Sequence, residues 1–93
     1  MIKVSFADLT HTGQLVAANT FPLGLCYVAA TSKAHFGKSV DIDVFKYPDD
    51  FNSYLKKGLP DVACFSSFVW NIRMAHFFAK KLKAIKPEII TIF

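Results

Sequence analysis

Cysteine is scarce in this chain of 93 residues: there are two, Cys26 and Cys64, and no Cys-x-x-Cys pair. Each thiol sits inside an apolar segment, so both read as small buried hydrophobes rather than as a disulfide. Without a close Cys/His cluster, no zinc or iron–sulfur site can be built from this chain alone, and no metal ligands are assigned. Long apolar runs are also missing; none approaches the roughly 18 residues a membrane-spanning helix needs. Met1-Ile2-Lys3-Val4 enters a strand directly, without the pattern of a secretory signal. The expected location is the cytoplasm, with no membrane partner. Basic residues are not interleaved with aromatics as on a nucleic-acid platform, so nucleic acid is not an expected partner either. Internal repeats and low-complexity tracts are absent.

What is abundant is apolar surface. Hydrophobic residues make up 53% of the chain and aromatic residues 15%. A single small domain with that composition either hides strands on both faces or has more protein beside it. The formal net charge is +4. Its lysines gather at Lys56-Lys57 and at Lys80, Lys81, Lys83 and Lys86, on outer helix faces, where they read as a solvated surface.

Along the chain, Ile2–Ala7 is short, apolar and β-branched, and predicts a strand that stops at Asp8. Residues 8–21 form a connection of about 14 residues, against about 2–6 for an ordinary strand-to-helix loop. Such length in a compact domain points to a binding loop. Pro22 suits a first helical turn, Leu25, Val28, Ala29, Ser32 and Phe36 recur at helical spacing, and Gly37 marks the stop. Val40–Phe45 alternates apolar residues with Asp41 and Asp43, as expected of a strand near a sheet edge. Pro48-Asp49-Asp50 predicts a helix start with an aspartate as cap, Phe51, Tyr54 and Leu55 line its inner face, and Gly58 ends it. Val62–Phe65 is uninterrupted and apolar, the pattern of a strand buried on both sides. The helix after Ser66-Ser67 presents Ile72, Ala75, Ala79 and Leu82 on one face, widened by Met74, Phe78 and Ile85, and Lys86-Pro87 breaks it. Residues 88–93 form the fourth strand.

The resulting β-α-β-α-β-α-β order implies right-handed crossovers and an open parallel sheet. An uncovered apolar fourth strand would be an aggregation liability, so the natural polypeptide is expected to continue past residue 93. In open parallel α/β sheets, ligands bind beyond the carboxyl ends of the strands at a topological switch point. Two segments fall there: residues 8–21, and Ser66-Ser67-Phe68-Val69-Trp70-Asn71. With strands one and three as neighbours, both segments face one crevice. The serines offer hydroxyls and backbone N–H groups to an anionic or amide-bearing ligand, or cap the following helix. Val69 and Trp70 add a flat apolar surface, or pack in the core. Together they suit a large ligand with a hydrophobic face and polar edges. His11 stands alone in the first loop, with Asp8 the one carboxylate nearby. His35 and His76 fall on helices and carry no assigned chemistry.

Two stretches resemble the cobalamin-binding domain of B12-dependent radical SAM enzymes. Pro22-Leu23-Gly24-Leu25-Cys26-Tyr27-Val28-Ala29-Ala30 is similar to the segment that opens the first helix in that family. Pro60-Asp61-Val62-Ala63-Cys64-Phe65-Ser66-Ser67-Phe68-Val69-Trp70-Asn71-Ile72 is similar to its third strand and the following loop. Residues 86–93 look like the strand that leads to a Gly-Gly turn in the same domain. The similarity runs in matching order over nearly the whole chain. It implies a Rossmann-like open parallel sheet that holds cobalamin over its strand ends. Carried over by position, Leu23, Gly24, Ser66, Ser67, Val69, Trp70 and Asn71 would contact the cofactor. S-adenosylmethionine and a [4Fe-4S] cluster would belong to a downstream radical SAM domain of the parent protein, whose Cys-x-x-x-Cys-x-x-Cys motif is absent here. This piece would then catalyse nothing by itself. Mutases and methionine synthase supply an axial histidine from Asp-x-His-x-x-Gly. This chain has Asp8-Leu9-Thr10-His11-Thr12-Gly13, with the histidine one place late, and radical SAM relatives commonly lack that ligand. His11 therefore stays a candidate for contact with the corrin only.

Two other classes compete. A degenerate domain would keep the fold as a packing surface and bind no cobalamin. A flavodoxin-like or receiver-like regulatory domain would need a compact phosphate loop after strand one, or acids at the ends of strands one and three. Here the first loop is long and strand three ends in serines.

Overall fold

The computed structural model describes residues 1–9, 23–68 and 71–93. Its elements run β1 (Ile2–Ala7), α1 (Leu23–Phe36), a 3-10 turn (Gly37–Ser39), β2 (Val40–Phe45), α2 (Pro48–Lys57), β3 (Val62–Phe65), α3 (Ile72–Ile85) and β4 (Ile90–Ile92). All pairings are parallel, in the order β2-β1-β3-β4. The protein is thus an α/β, Rossmann-like open parallel sheet, as its strand–helix alternation implies. β2 lies at an edge, where its alternating aspartates reach solvent: Asp41 and Asp43 are exposed.

Side chains alternate across a strand, and the register shows which go where. Ala7 stands level with Phe45 on one side and Phe65 on the other. These residues point to the face that carries α2 and α3. There Ala7, Leu9, Phe51, Ala63, Phe65, Ala75, Phe78, Ala79, Leu82 and Ile89 form one buried cluster. Phe51 is its hub, fully buried, with ring centroids 5.3 Å from Phe45, 6.0 Å from Phe65 and 5.1 Å from Phe78. On the opposite face α1 packs against β1 and β2, and Phe6, Ala29 and Val40 are buried there.

Among the described residues, helical coverage of that second face stops at β1. Val62 and Cys64 of β3 are half-buried, and Ile90 and Ile92 of β4 are exposed. The expectation that β3 is buried on both sides therefore holds on one side only, because α1 does not extend over β3 and β4. The same geometry corrects the reading of the cysteines. Both are free thiols, but each is half-buried rather than buried, and partial burial pushes the Cys64 thiol pKa upward. Of the apolar positions expected on the inner face of α1, Ala29 is buried while Val28 and Phe36 are exposed.

Helix ends follow the local chemistry with two exceptions. Gly37 takes φ +55° directly after α1, a left-handed turn that glycine adopts without penalty. Pro48 opens α2, but Tyr47 is the cap residue, and its side chain caps no helical N–H. Asp49 and Asp50 instead lie in the first turn, where negative charge complements the helix dipole. The aspartate cap is thus corrected to a first-turn charge. In α3, Ala75, Phe78, Ala79 and Leu82 are buried, while Ile72 and Ile85 remain exposed.

At the amino edge of the sheet, Asp61 joins three strands. Its N–H donates to the Lys3 carbonyl (2.8 Å) and its carbonyl accepts the Ile90 N–H (3.1 Å). Its carboxylate accepts the Lys3 N–H at 2.9 Å and the Lys86 ammonium at 3.0 Å. The Lys3 N–H first, and then Lys86, hold this exposed carboxyl below the usual aspartate range.

Two outcomes are expected. Phe51→Ala should cost about 3–5 kcal/mol in urea unfolding, the range for a deleted buried aromatic, whereas Phe77→Ala, at an exposed position, should change stability by no more than about 0.5 kcal/mol. A folded-state pKa below the unfolded value means the Asp61 contribution is complete above about pH 4 and is lost as pH falls through the depressed value. Asp61→Asn should therefore flatten the acid limb of the urea midpoint plotted against pH.

Candidate functional site

β1 is hydrogen-bonded on both edges up to its last residue. The Asp8 N–H donates to the Phe45 carbonyl (2.9 Å), and the Ala7 carbonyl accepts the Ser66 N–H (3.0 Å). The helices that follow these two strands, α1 and α3, lie on opposite faces of the sheet. This divergence is the switch point at which open α/β sheets place their ligands. The adjacency of strands one and three expected from sequence is thus present, and Asp8 and Ser66 face each other across the junction.

Asn71 organises the descent from β3 into α3. It is 1% exposed. Its side-chain Oδ1 accepts the Phe68 N–H at 2.8 Å, and its Nδ2 donates to the Asp8 Oδ1 at 3.1 Å. The Phe68 carbonyl accepts the N–H groups of Asn71 (3.1 Å) and Ile72 (2.9 Å). One buried amide therefore closes the loop onto itself and ties it to the end of β1. Both ends of that amide are engaged within the protein. Asn71 is also the residue preceding α3, although its side chain caps no helical N–H. The serines lie upstream of that position, so their reading as helix caps is corrected.

Ser66 and Ser67 differ in their surroundings. Ser67 is exposed; Ser66 is half-buried, and its Oγ is sealed from solvent without a hydrogen-bond partner. Among the described residues, three buried hydroxyls lack a partner: Ser5, Tyr54 and Ser66. Ser5 sits inside β1 and Tyr54 inside α2. Ser66 alone of the three stands at the carboxyl edge, and a buried polar group without a partner costs stability unless something else satisfies it.

Of the remaining candidates, Gly24 is exposed in the first turn of α1, with no atom within 4 Å of where a Cβ would stand. The backbone of Leu23 opens α1. His11, Val69 and Trp70, together with Pro22 and most of the long first loop, lie outside the described residues. Two features were not foreseen. One is the Asp8–Asn71 bond, which no local spacing announces because its partners are 63 residues apart. The other is an aromatic stack beside β4. The Phe93 ring lies between Phe65 (5.6 Å, interplanar angle 23°) and His76 (4.6 Å, 23°). His76 thus has a packing role where none was assigned.

Among the described residues, no group of three or more His, Cys, Asp or Glu side chains is placed to hold a metal ion, and no helix is long and apolar enough to cross a membrane. No family model and no curated protein matches this chain.

Asn71→Ala should cost about 1–3 kcal/mol, because it leaves the Phe68 N–H without its acceptor. Asn71→Asp keeps that acceptor but sets a second carboxylate against Asp8. Mutual repulsion raises the folded-state pKa of the pair, so the deficit should be small in acid and grow as pH rises above about 4. Urea midpoints of the two variants measured from acid to neutral pH check both statements.

Proposed function

We propose that this chain is the cobalamin-binding module of a B12-dependent radical SAM enzyme. The observation that carries the reading is the Ser66 hydroxyl, shut off from water and without a partner, at the switch point of an open parallel sheet. The stretch that resembles the family's cofactor loop is the one leaving β3 at that point. A ligand with amide edges would satisfy the hydroxyl once the protein atoms that cover it move aside. Ser67 and Gly24, both exposed, offer a second hydroxyl and an unobstructed backbone. Asn71 has its amide committed to Phe68 and Asp8, so its part in this reading is to hold the loop in place.

The cofactor supplies the methyl-transfer or radical chemistry, and the protein supplies binding, orientation and environment. S-adenosylmethionine and an iron–sulfur cluster belong, in this reading, to a downstream domain of the same polypeptide. The residues of this chain bind and orient; they carry out no bond-making step. His11, Leu23, Val69 and Trp70 enter as candidates by resemblance.

Titration of the purified chain with hydroxocobalamin, followed through the corrin absorption bands, tests this. Saturable binding is expected, weakened by Ser66→Ala and by Trp70→Ala, with a spectrum that has lost the lower base. A spectrum of a protein imidazole ligand that disappears in His11→Ala would assign His11 to the cobalt. Absence of binding by the demonstrably folded chain would overturn the proposal and leave a domain that uses this fold for packing alone.

A further inference from the structure

The helical layer has a second feature, on the side of α2 and α3 turned away from the strand ends. Between these helices lies a groove of about 210 Å³. Leu55, Leu59 and Leu82 line it together with Ile85, Lys56 and Lys81. Leu82 is fully buried and forms the floor, while Ile85 is 62% exposed at the mouth. Lys81 and Ile85 are four residues apart on α3, on one ridge that Phe77, also 62% exposed, extends by a further turn.

The charged side chains that line this groove, Lys56 and Lys81, are both positive. α3 carries Arg73, Lys80, Lys81 and Lys83 and no acidic residue, and the last turn of α2 carries Lys56 and Lys57. The aspartates of α2 are in its first turn, at the other end of the helix. Among the described residues, neither Lys56 nor Lys81 makes an ion pair. The lysines in the last turn of α2 complement its dipole, but Lys80 and Lys81 lie within α3, where that account does not reach.

We propose that the groove between α2 and α3 docks an amphipathic helix of a partner protein, with an apolar stripe flanked by acidic residues. Two packed helices present parallel ridges, and a third helix nests between them by its own i, i+3, i+4 side chains. Apolar anchors meet Leu55, Leu59 and Ile85, and glutamates or aspartates on the flanks meet Lys56 and Lys81. The leucines of this groove are recessed between the helices, which suits side chains inserted from a partner helix; Phe77 and Ile85 project beside Lys81, and the vesicle arm of the test addresses an anionic membrane. This inference does not depend on cobalamin binding.

The test uses the whole chain, labelled with ¹⁵N, and three probes. They are a synthetic amphipathic peptide of about four helical turns with leucines flanked by glutamates, the same peptide with lysines for the glutamates, and phosphatidylcholine–phosphatidylserine vesicles. The glutamate peptide should bind saturably, more weakly as salt rises, with amide shifts centred on Leu55, Leu59, Leu82 and Ile85. The double variant Lys56→Glu/Lys81→Glu should lose about tenfold in affinity for that peptide and gain it for the lysine peptide. Reversal of preference cannot arise from misfolding, and the amide spectrum checks the fold directly. Equal affinity for both peptides, shifts centred elsewhere, or binding to vesicles without binding to the glutamate peptide would overturn the proposal.

Discussion

Everything at the carboxyl edge of this protein is positioned by β1, the strand hydrogen-bonded along both sides. Its six residues pair in parallel with β2 throughout, and its last four pair with β3. Parallel neighbours require crossovers, and right-handed crossovers to opposite sides of β1 send their helices to opposite faces. The switch point is therefore a consequence of strand order, and it lies where Ala7 and Phe65 end their strands. The Asp8–Asn71 bond acts at the same junction. It fixes how the chain leaves β3 relative to the chain leaving β1, and it does so with one fully buried amide instead of a rigid turn sequence.

The two faces of the sheet are unequal, and the inequality explains several exposures at once. On the α2 and α3 side, Phe51, Phe65 and Phe78 interlock around small residues, Ala7, Ala63, Ala75 and Ala79, which let the helices approach the strands. Fully burying each phenylalanine is worth about 1.5–3 kcal/mol relative to leaving it exposed, so this face carries most of the apolar stabilisation. On the other side α1 spans two strands of four. Parallel sheets are ordinarily covered on both faces, yet Ile90 and Ile92 stay exposed, as do Tyr27 and Val28 of α1.

Strand positions were legible in the sequence because each is short, apolar and bounded by a strong punctuation residue. Asp8, Gly37 and Asp61 mark ends or starts that the structure reproduces, and the alternating aspartates of β2 marked it as an edge. Helix stops at Gly37 and Gly58 were equally readable. The pattern misled where a residue type has two uses. Asp49 and Ser66 are good caps by propensity, but Tyr47 and Asn71 occupy the cap positions, and neither caps through its side chain. Apolar neighbours around Cys64 implied burial, which needs a covering element that periodicity cannot report. Asp8 and Asn71 could not be paired from sequence, because their contact exists only once β1 and β3 are side by side. Of the candidate site, Ser66, Ser67, Gly24 and Asn71 are placed; Asn71 proves to be a support for the loop.

The described part of the carboxyl edge combines charged and neutral polar groups. Asp8 stands at the junction, but its Oδ1 is occupied by Asn71, so part of its accepting capacity is spent inside the protein. The other polar groups there include Lys46, directly after β2, and the hydroxyls of Ser66 and Ser67, the first of them sealed and unpartnered. A phosphate-binding loop would present cations or a glycine-rich nest, and a divalent-cation site would gather several free carboxylates. Among the described residues, no group of three or more carboxylates gathers at this edge. The exposed Ser67 hydroxyl is a neutral donor that this edge presents to solvent.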